Sequence, residues 1–140
     1  MVHVDRYDRL PEPGTRSGAH VDDLEVDDLH GIELDHIQLA RVRMRQAQIY
    51  DASLVGANLA GVDLSLAILS RTALSNANLA TAILHKANLA DTNLSEANLA
   101  DADLSAAILA NAVLKQTQLG RATLHGARLT RCDLASADIT

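Results

Sequence analysis

The sequence predicts an all-β chain wound into a four-sided parallel solenoid, a quadrilateral β-helix of about six coils with twenty residues each. Three observations predict it. Every fifth residue from Leu24 to Ile139 is a large aliphatic one, 24 in unbroken succession. Two residues before each of these, from Val42 onward, stands a small or compact residue: Ala at fourteen of twenty sites, otherwise Val42, Val62, Thr72, Thr92, Thr117 and Cys132. The residues between them agree best at a lag of twenty.

A period of five suits neither ordinary element. On a helix, at about 100° per residue, successive leucines would be spread over every face. On a flat strand, an odd step would put alternate leucines on opposite sides. Spacings of two and then three between inward positions resolve this. The step of two is a short extended segment with both side chains on one face, and the extra residue turns a corner. Each pentapeptide is therefore one side of a polygon, and the repeat marks a solenoid.

The lag of twenty sets four sides. One column of residues just before the aliphatic position reads Gln38, Asn58, Asn78, Asn98, Gln118, Asp138, and the residues just after it read Ala40, Ala60, Ala80, Ala100, Gly120, Thr140. A lag of ten mixes in Ile68, Ile108 and Arg128. The leucines form one column on each wall, with alanines small where the four walls converge. Each buried Leu contributes ~1.5 to 3 kcal/mol of transfer free energy, and stability is a sum over neighbouring coils. The Asn column at 58, 78 and 98 is expected to form side-chain amide ladders along the stack.

Two regions follow: a non-repeat segment over residues 1–20 and the solenoid over residues 21–140. Pro11-Glu12-Pro13-Gly14 reads as a turn-rich linker. The segment is either mobile or folded over the first rung through Val2, Val4 and Leu10, and both readings stay open.

The repeats Gly56-Ala57-Asn58-Leu59-Ala60, Asn76-Ala77-Asn78-Leu79-Ala80, Lys86-Ala87-Asn88-Leu89-Ala90 and Glu96-Ala97-Asn98-Leu99-Ala100 resemble those of the pentapeptide-repeat proteins, whose signature is Ala, then Asn or Asp, then Leu. The resemblance covers about six-sevenths of the chain and implies a right-handed coil. It also brings a functional alternative, because some members of that family imitate duplex DNA, bind DNA gyrase and confer quinolone resistance. Those members favour Phe as well as Leu at the centre and carry a strongly acidic surface. This chain has no Phe, and its acidity is N-terminal: residues 1–40 carry a net −7 and residues 41–140 a net +1.

Other function classes recede on composition. Arg41, Arg43, Arg45, Arg71, Lys86, Lys115, Arg121, Arg128 and Arg131 are scattered among acids without a basic stripe, and the only aromatic rings among Phe, Tyr and Trp are those of Tyr7 and Tyr50. Direct nucleic-acid binding is not expected. Arg41, Arg43 and Arg45 are expected to pair with the acidic first coil below them. No apolar run approaches the ~20 residues of a membrane span, and no signal peptide is visible, so a cytoplasmic location is expected. Cys132, the lone cysteine, takes an inward alanine position and is expected to behave as a small hydrophobe. His85 and His125 share an outward column two rungs apart, about 9.6 Å, too far to ligate one ion. Ser65, His85 and Ser105 are vertical neighbours beside Asp63 and Asp103, but short repeats leave a flat wall without a pocket. No enzyme activity, cofactor or metal is expected.

The remaining expectation is a display surface for a protein partner. A lateral interface is expected at Tyr50, Leu66, Ile68, Ala90, Ala106, Ile108 and Ala110, where outward positions break the polar rule. The coil of Leu124, Leu129, Leu134 and Ile139 is expected to present a bare, hydrogen-bond-hungry edge, protected by end-to-end homodimerisation. The sequence thus reads as a non-enzymatic interaction module, with a gyrase-binding DNA mimic and an architectural subunit of a larger assembly as alternatives.

Overall fold

A computed structural model of the 140-residue chain describes residues 28–140. The expectations for residues 1–20, and for Leu24 and the acids Asp22, Asp23, Glu25 and Asp27, lie outside the described residues.

Every bridging residue pairs in parallel with the residue twenty places on, from Asp28↔Gln48 through to Gln118↔Asp138. The coil therefore has twenty residues and four walls. Wall A carries Arg43, Asp63, Ile83, Asp103 and Thr123; wall B carries Asp28, Gln48, Ile68, Asn88, Ile108 and Arg128. Wall C runs from Glu33 through Ser53, Ala73, Asn93 and Val113 to Asp133, and wall D from Gln38 through Asn58, Asn78, Asn98 and Gln118 to Asp138. Each wall contributes one bridging residue per coil, because the chain turns again before a longer strand can form.

The turn is built the same way throughout. From Leu34 to Leu134 the carbonyl of each core aliphatic residue accepts the N–H three residues on, as in Leu64 to Ala67 at 3.0 Å. The residue two places after each core aliphatic has a positive φ, from Gly31 at 66° to Ser136 at 56°. A positive φ at the third turn residue alone is the type II pattern. Glycine suits it, yet only Gly31, Gly56, Gly61 and Gly126 occupy it; residues as different as Leu66, Thr81 and Lys86 hold the other corners at a cost of about 1 kcal/mol or more each. They are held there by stacking, since each such N–H below the last coil donates to the next coil, as Lys86 does to Ser105 O at 2.9 Å. Gly56 has its own reason: a Cβ there would lie 2.5 Å from Nδ1 of His36.

Tracing the five N–H groups of one repeat explains the Asn and Asp residues. Leu79 and Thr81 donate to the coil above, Asn78 to the coil below, and Ala77 closes a turn. The fifth, Ala80 N–H, donates to Oδ1 of Asn78 at 3.1 Å. The same bond recurs at Asn88, Asn98, Asp63, Asp103 and Asp133. The acceptor two residues back thus satisfies the one donor the coil leaves over. This corrects the expected amide ladder: Asn58 Nδ2 donates to Gln38 Oε1 at 3.0 Å at the start of the column, while Oδ1 of Asn58, Asn78 and Asn98 turns to its own backbone.

The interior is a continuous stack of aliphatic side chains, fully buried from Leu54 to Leu109. The inward threonines fit because their hydroxyls are used. Thr72, Thr92 and Thr117 each donate to the core carbonyl 23 residues back, at 2.8 to 2.9 Å. Cys132 does likewise to Leu109 O, and burial pushes its thiol pKa up, consistent with a packing role.

Corner and wall charges pair mostly between adjacent coils. Arg71 grips Asp51 in a two-pronged contact, as Arg121 grips Asp101, and Lys115 meets Asp133 at 3.2 Å. Arg45 pairs upward with Asp63 at 3.6 Å, away from the acidic first coil that was expected to hold it.

Candidate functional site

Two surfaces depart from the polar exterior. The first is the last coil. Leu124 and Leu129 are half-buried, Leu134 is 43% exposed and Ile139 is 73% exposed. With the four core leucines of the coil below, they line an apolar hollow of about 240 Å³, open at the end of the rod. Hydrogen bonding is incomplete on the same edge. In every lower coil the core and corner N–H groups donate upward; among the described residues those of Arg121, Leu124, Gly126, Leu129, Arg131, Leu134, Ser136 and Ile139 have no backbone acceptor. An edge that is both apolar and rich in unused donors is a template for further chain. The structure thus brings together the four residues the repeat pattern singled out for this edge.

The second surface is wall B with its leading corner. Leu66 and Ile68 are each 39% exposed, and Ala90, Ala106, Ile108 and Ala110 are half-buried around them. Tyr50 sits lower, its ring stacked on His30 at 5.1 Å and 13°. Part of its surface is therefore spent within the chain, at the foot of the wall. On wall A, Ile83 is also exposed, at 41%.

The Ser, His and Asp residues of wall A do come together, in an order unsuited to nucleophilic catalysis. Ser105 Oγ donates to Asp103 at 2.5 Å and lies 2.8 Å from His85 Nδ1. The single hydroxyl proton is committed to the carboxylate, so the imidazole donates to the serine and is no base for it. The Ser105 hydroxyl first, and its backbone N–H second, hold the Asp103 pKa below the ordinary carboxylate value. Ser65 makes the same bond to Asp63 at 2.6 Å. Among the described residues no group of three His, Cys, Asp or Glu could hold a metal ion, and no helix is long and apolar enough to cross a membrane.

Comparison with known proteins agrees with this architecture. The family profile described as pentapeptide repeats matches in 8 copies, over residues 28–65, 67–99 and 97–134. Among solved structures, HetL from the cyanobacterium Nostoc sp. strain PCC 7120, a pentapeptide repeat protein involved in heterocyst differentiation regulation, is 33% identical with a TM-score of 0.66. The match covers 79% of this chain and 60% of HetL, so the chain spans about three-fifths of that relative's length. A pentapeptide repeat protein of the Arabidopsis thaliana thylakoid lumen is 20% identical, over 80% of this chain and 71% of its own, with a TM-score of 0.46. QnrB1, a plasmid-mediated fluoroquinolone resistance protein, is 16% identical in one of its structures, over 79% and 70%, with a TM-score of 0.39. No curated protein sequence matches the chain.

Proposed function

Because the chain belongs to the pentapeptide-repeat family, we propose that it is a non-enzymatic protein–protein interaction module, coiled with the right hand the family implies and self-associating through its last coil. The observation that carries this reading is the open apolar edge at Leu124, Leu129, Leu134 and Ile139, with its unused N–H donors. A second copy meeting it end to end covers the aliphatic hollow and supplies backbone acceptors at once. The walls offer display area, and the likeness to HetL, whose described role is regulatory, supports a use in regulation by contact. The proposed setting is the cytoplasm. The gyrase-directed alternative has less support, since residues 41–140 carry a net +1 rather than the strongly acidic surface of a duplex mimic.

The test is the mass in solution of the chain and of the variant Leu134→Asp with Ile139→Asp. The chain is expected to be a closed dimer and the variant a monomer with unchanged circular dichroism. A parent that stays monomeric at high concentration, or a variant that keeps the dimer mass, overturns the proposal. Mass that climbs without limit as concentration rises favours an architectural, open-ended subunit instead.

A further inference from the structure

We infer that the end-to-end contact is an antiparallel β-seam, in which walls B and C of one copy meet walls C and B of the other, and walls A and D meet walls D and A. The inference rests on self-association through the last coil and specifies how the two copies are turned.

The backbone sets the kind of pairing. In lower coils the carbonyl of the compact residue accepts the bridging N–H of the next coil, as Thr117 does from Asp138 at 2.8 Å. On the last coil the carbonyls of Ala122, Ala127, Cys132 and Ala137 have no such donor among the described residues, and the N–H groups of Leu124, Leu129, Leu134 and Ile139 have no backbone acceptor. Each wall therefore presents one free carbonyl and one free N–H, one on either side of its bridging residue. A second copy, facing the first about a two-fold axis that crosses the rod, runs its strands in the opposite direction. Two opposed bridging residues then make the non-hydrogen-bonded pair of an antiparallel ladder, with a hydrogen bond on each side. Repeated on every wall, this uses all the core N–H groups and compact carbonyls of both end coils. Inside the seam Leu129 lies opposite Cys132, and Leu134 opposite Ala127, large against small.

Four two-fold axes set wall upon wall: two through opposite walls and two through opposite corners. The aliphatic interior and the backbone are alike on every wall and do not choose among them. The ramp of the coil does. The chain climbs one rung, about 4.8 Å, per turn, so Thr140 stands over Gly120, its carbonyl 2.8 Å from where a Gly120 Cβ would lie. The end face is thus a ramp with a single step at the corner between walls D and A. Only the axis through that corner and the B–C corner opposite sets step against step and keeps all four wall pairs equally spaced. Every other axis leaves at least one wall a full rung from its counterpart.

Charge selects the same axis. The bridging residues of the last coil are Thr123, Arg128, Asp133 and Asp138, on walls A to D in order. About the chosen axis Arg128 opposes Asp133 and Thr123 opposes Asp138, each twice, as a two-fold contact requires. An axis through walls A and C sets Asp133 against itself. One through walls B and D sets Arg128 and Asp138 each against itself, and one through the other two corners sets Asp133 against Asp138. Directly opposed like charges destabilise such pairs, and opposite charges stabilise them. The Arg128 side chain is exposed, and among the described residues it has no hydrogen bond or ion pair. Of the corner residues on the axis, Arg121 is held by Asp101, and Arg131 is exposed at the outer rim, where salt screens the two guanidinium groups.

The experiment uses the full chain carrying Cys132→Ala, into which Arg128→Cys and Asp133→Cys are introduced separately. The two chains are mixed under reducing conditions, allowed to exchange, and oxidised. The mixture is expected to yield a disulfide-linked dimer of one chain with the other, at least tenfold more than either chain yields alone. Self-linkage at 128, self-linkage at 133, or equal linkage in all three samples overturns the inference and leaves the last-coil reading standing. In parallel, the dissociation constant of the dimer covers the case in which a cysteine variant loses its fold. Arg128→Asp, which sets Asp against Asp133, is expected to raise it about tenfold, and Arg128→Lys to leave it within about threefold. An unchanged constant in Arg128→Asp also overturns the inference. A parent chain that stays monomeric at high concentration removes the last-coil reading itself, so the two failures are told apart by mass.

Discussion

Replacing Asn78 and Asn98 tests whether the Asn column stabilises the coil by accepting the leftover backbone N–H or by laddering. Their Oδ1 atoms accept from Ala80 and Ala100 at 3.1 and 3.0 Å. Truncation to Ala removes that acceptor, and a lost hydrogen bond of this kind costs about 1 kcal/mol. The two sites lie on adjacent rungs, bridged directly and about 4.8 Å apart, so their effects add only approximately, to about 2 kcal/mol. For a domain of this size that is a fall in Tm of about 6 to 8 °C. Substitution by Asp keeps the acceptor, as the natural Asp63 and Asp103 do, but carboxylates at both sites would repel across one rung of about 4.8 Å, so the Asp substitutions are made one at a time. Asn78→Asp and Asn98→Asp, each alone, are therefore expected within about 0.5 kcal/mol of the parent. Thermal and urea unfolding followed by circular dichroism measures both. If a single Asp variant falls as far as the Ala variant at the same site, the Nδ2 donor is what matters and the ladder is right; if the Ala variants lose nothing, neither account holds.

The core and the charges give two more expectations. Leu89→Ala, in the fully buried stretch, is expected to cost about 2 to 5 kcal/mol, whereas Ile139→Ala, largely exposed in the monomer, should cost well under 1 kcal/mol there; urea midpoints on monomeric protein separate them. Acid should weaken the fold, because Asp51 and Asp101 are held below the ordinary carboxylate pKa by hydrogen bonds from Arg71 and Arg121, and Asp103 by Ser105. A carboxylate whose folded pKa is lowered contributes stability above its unfolded value, about pH 4. That contribution is lost as pH falls through the lower folded value. Stability should thus be flat above about pH 5 and decline below about pH 4, and Asp103→Asn should make the decline shallower. A slope unchanged by that substitution rejects the assignment.

The course of the coil was legible in the sequence because it depends on spacing. The five-residue recurrence, the compact residue two places earlier and the agreement at a lag of twenty recover all four walls, and the bridges repeat that lag without exception. Last-coil exposure was legible for the same reason. Hydrogen-bond direction was not: the Asn column is compatible in sequence with a ladder or with a local backbone bond, and only the side-chain rotamers choose. The order Asp103, Ser105, His85 was hidden likewise, since a shared column does not say where one hydroxyl proton points.

The sequence by itself determined which residues face inward, because steps of two and three repeat the aliphatic and the compact residue on one side of the chain, and the lag of twenty closes those sides into a four-walled coil. The tertiary structure decided what the outward residues do. It leaves Ile83 exposed on wall A, stacks Tyr50 on His30, and sets Lys86 and Asp91 on opposite edges of one wall. The physical reason is range: inward positions obey a period written along the chain, while outward contacts join residues across corners and coils, where only three-dimensional stacking fixes distance.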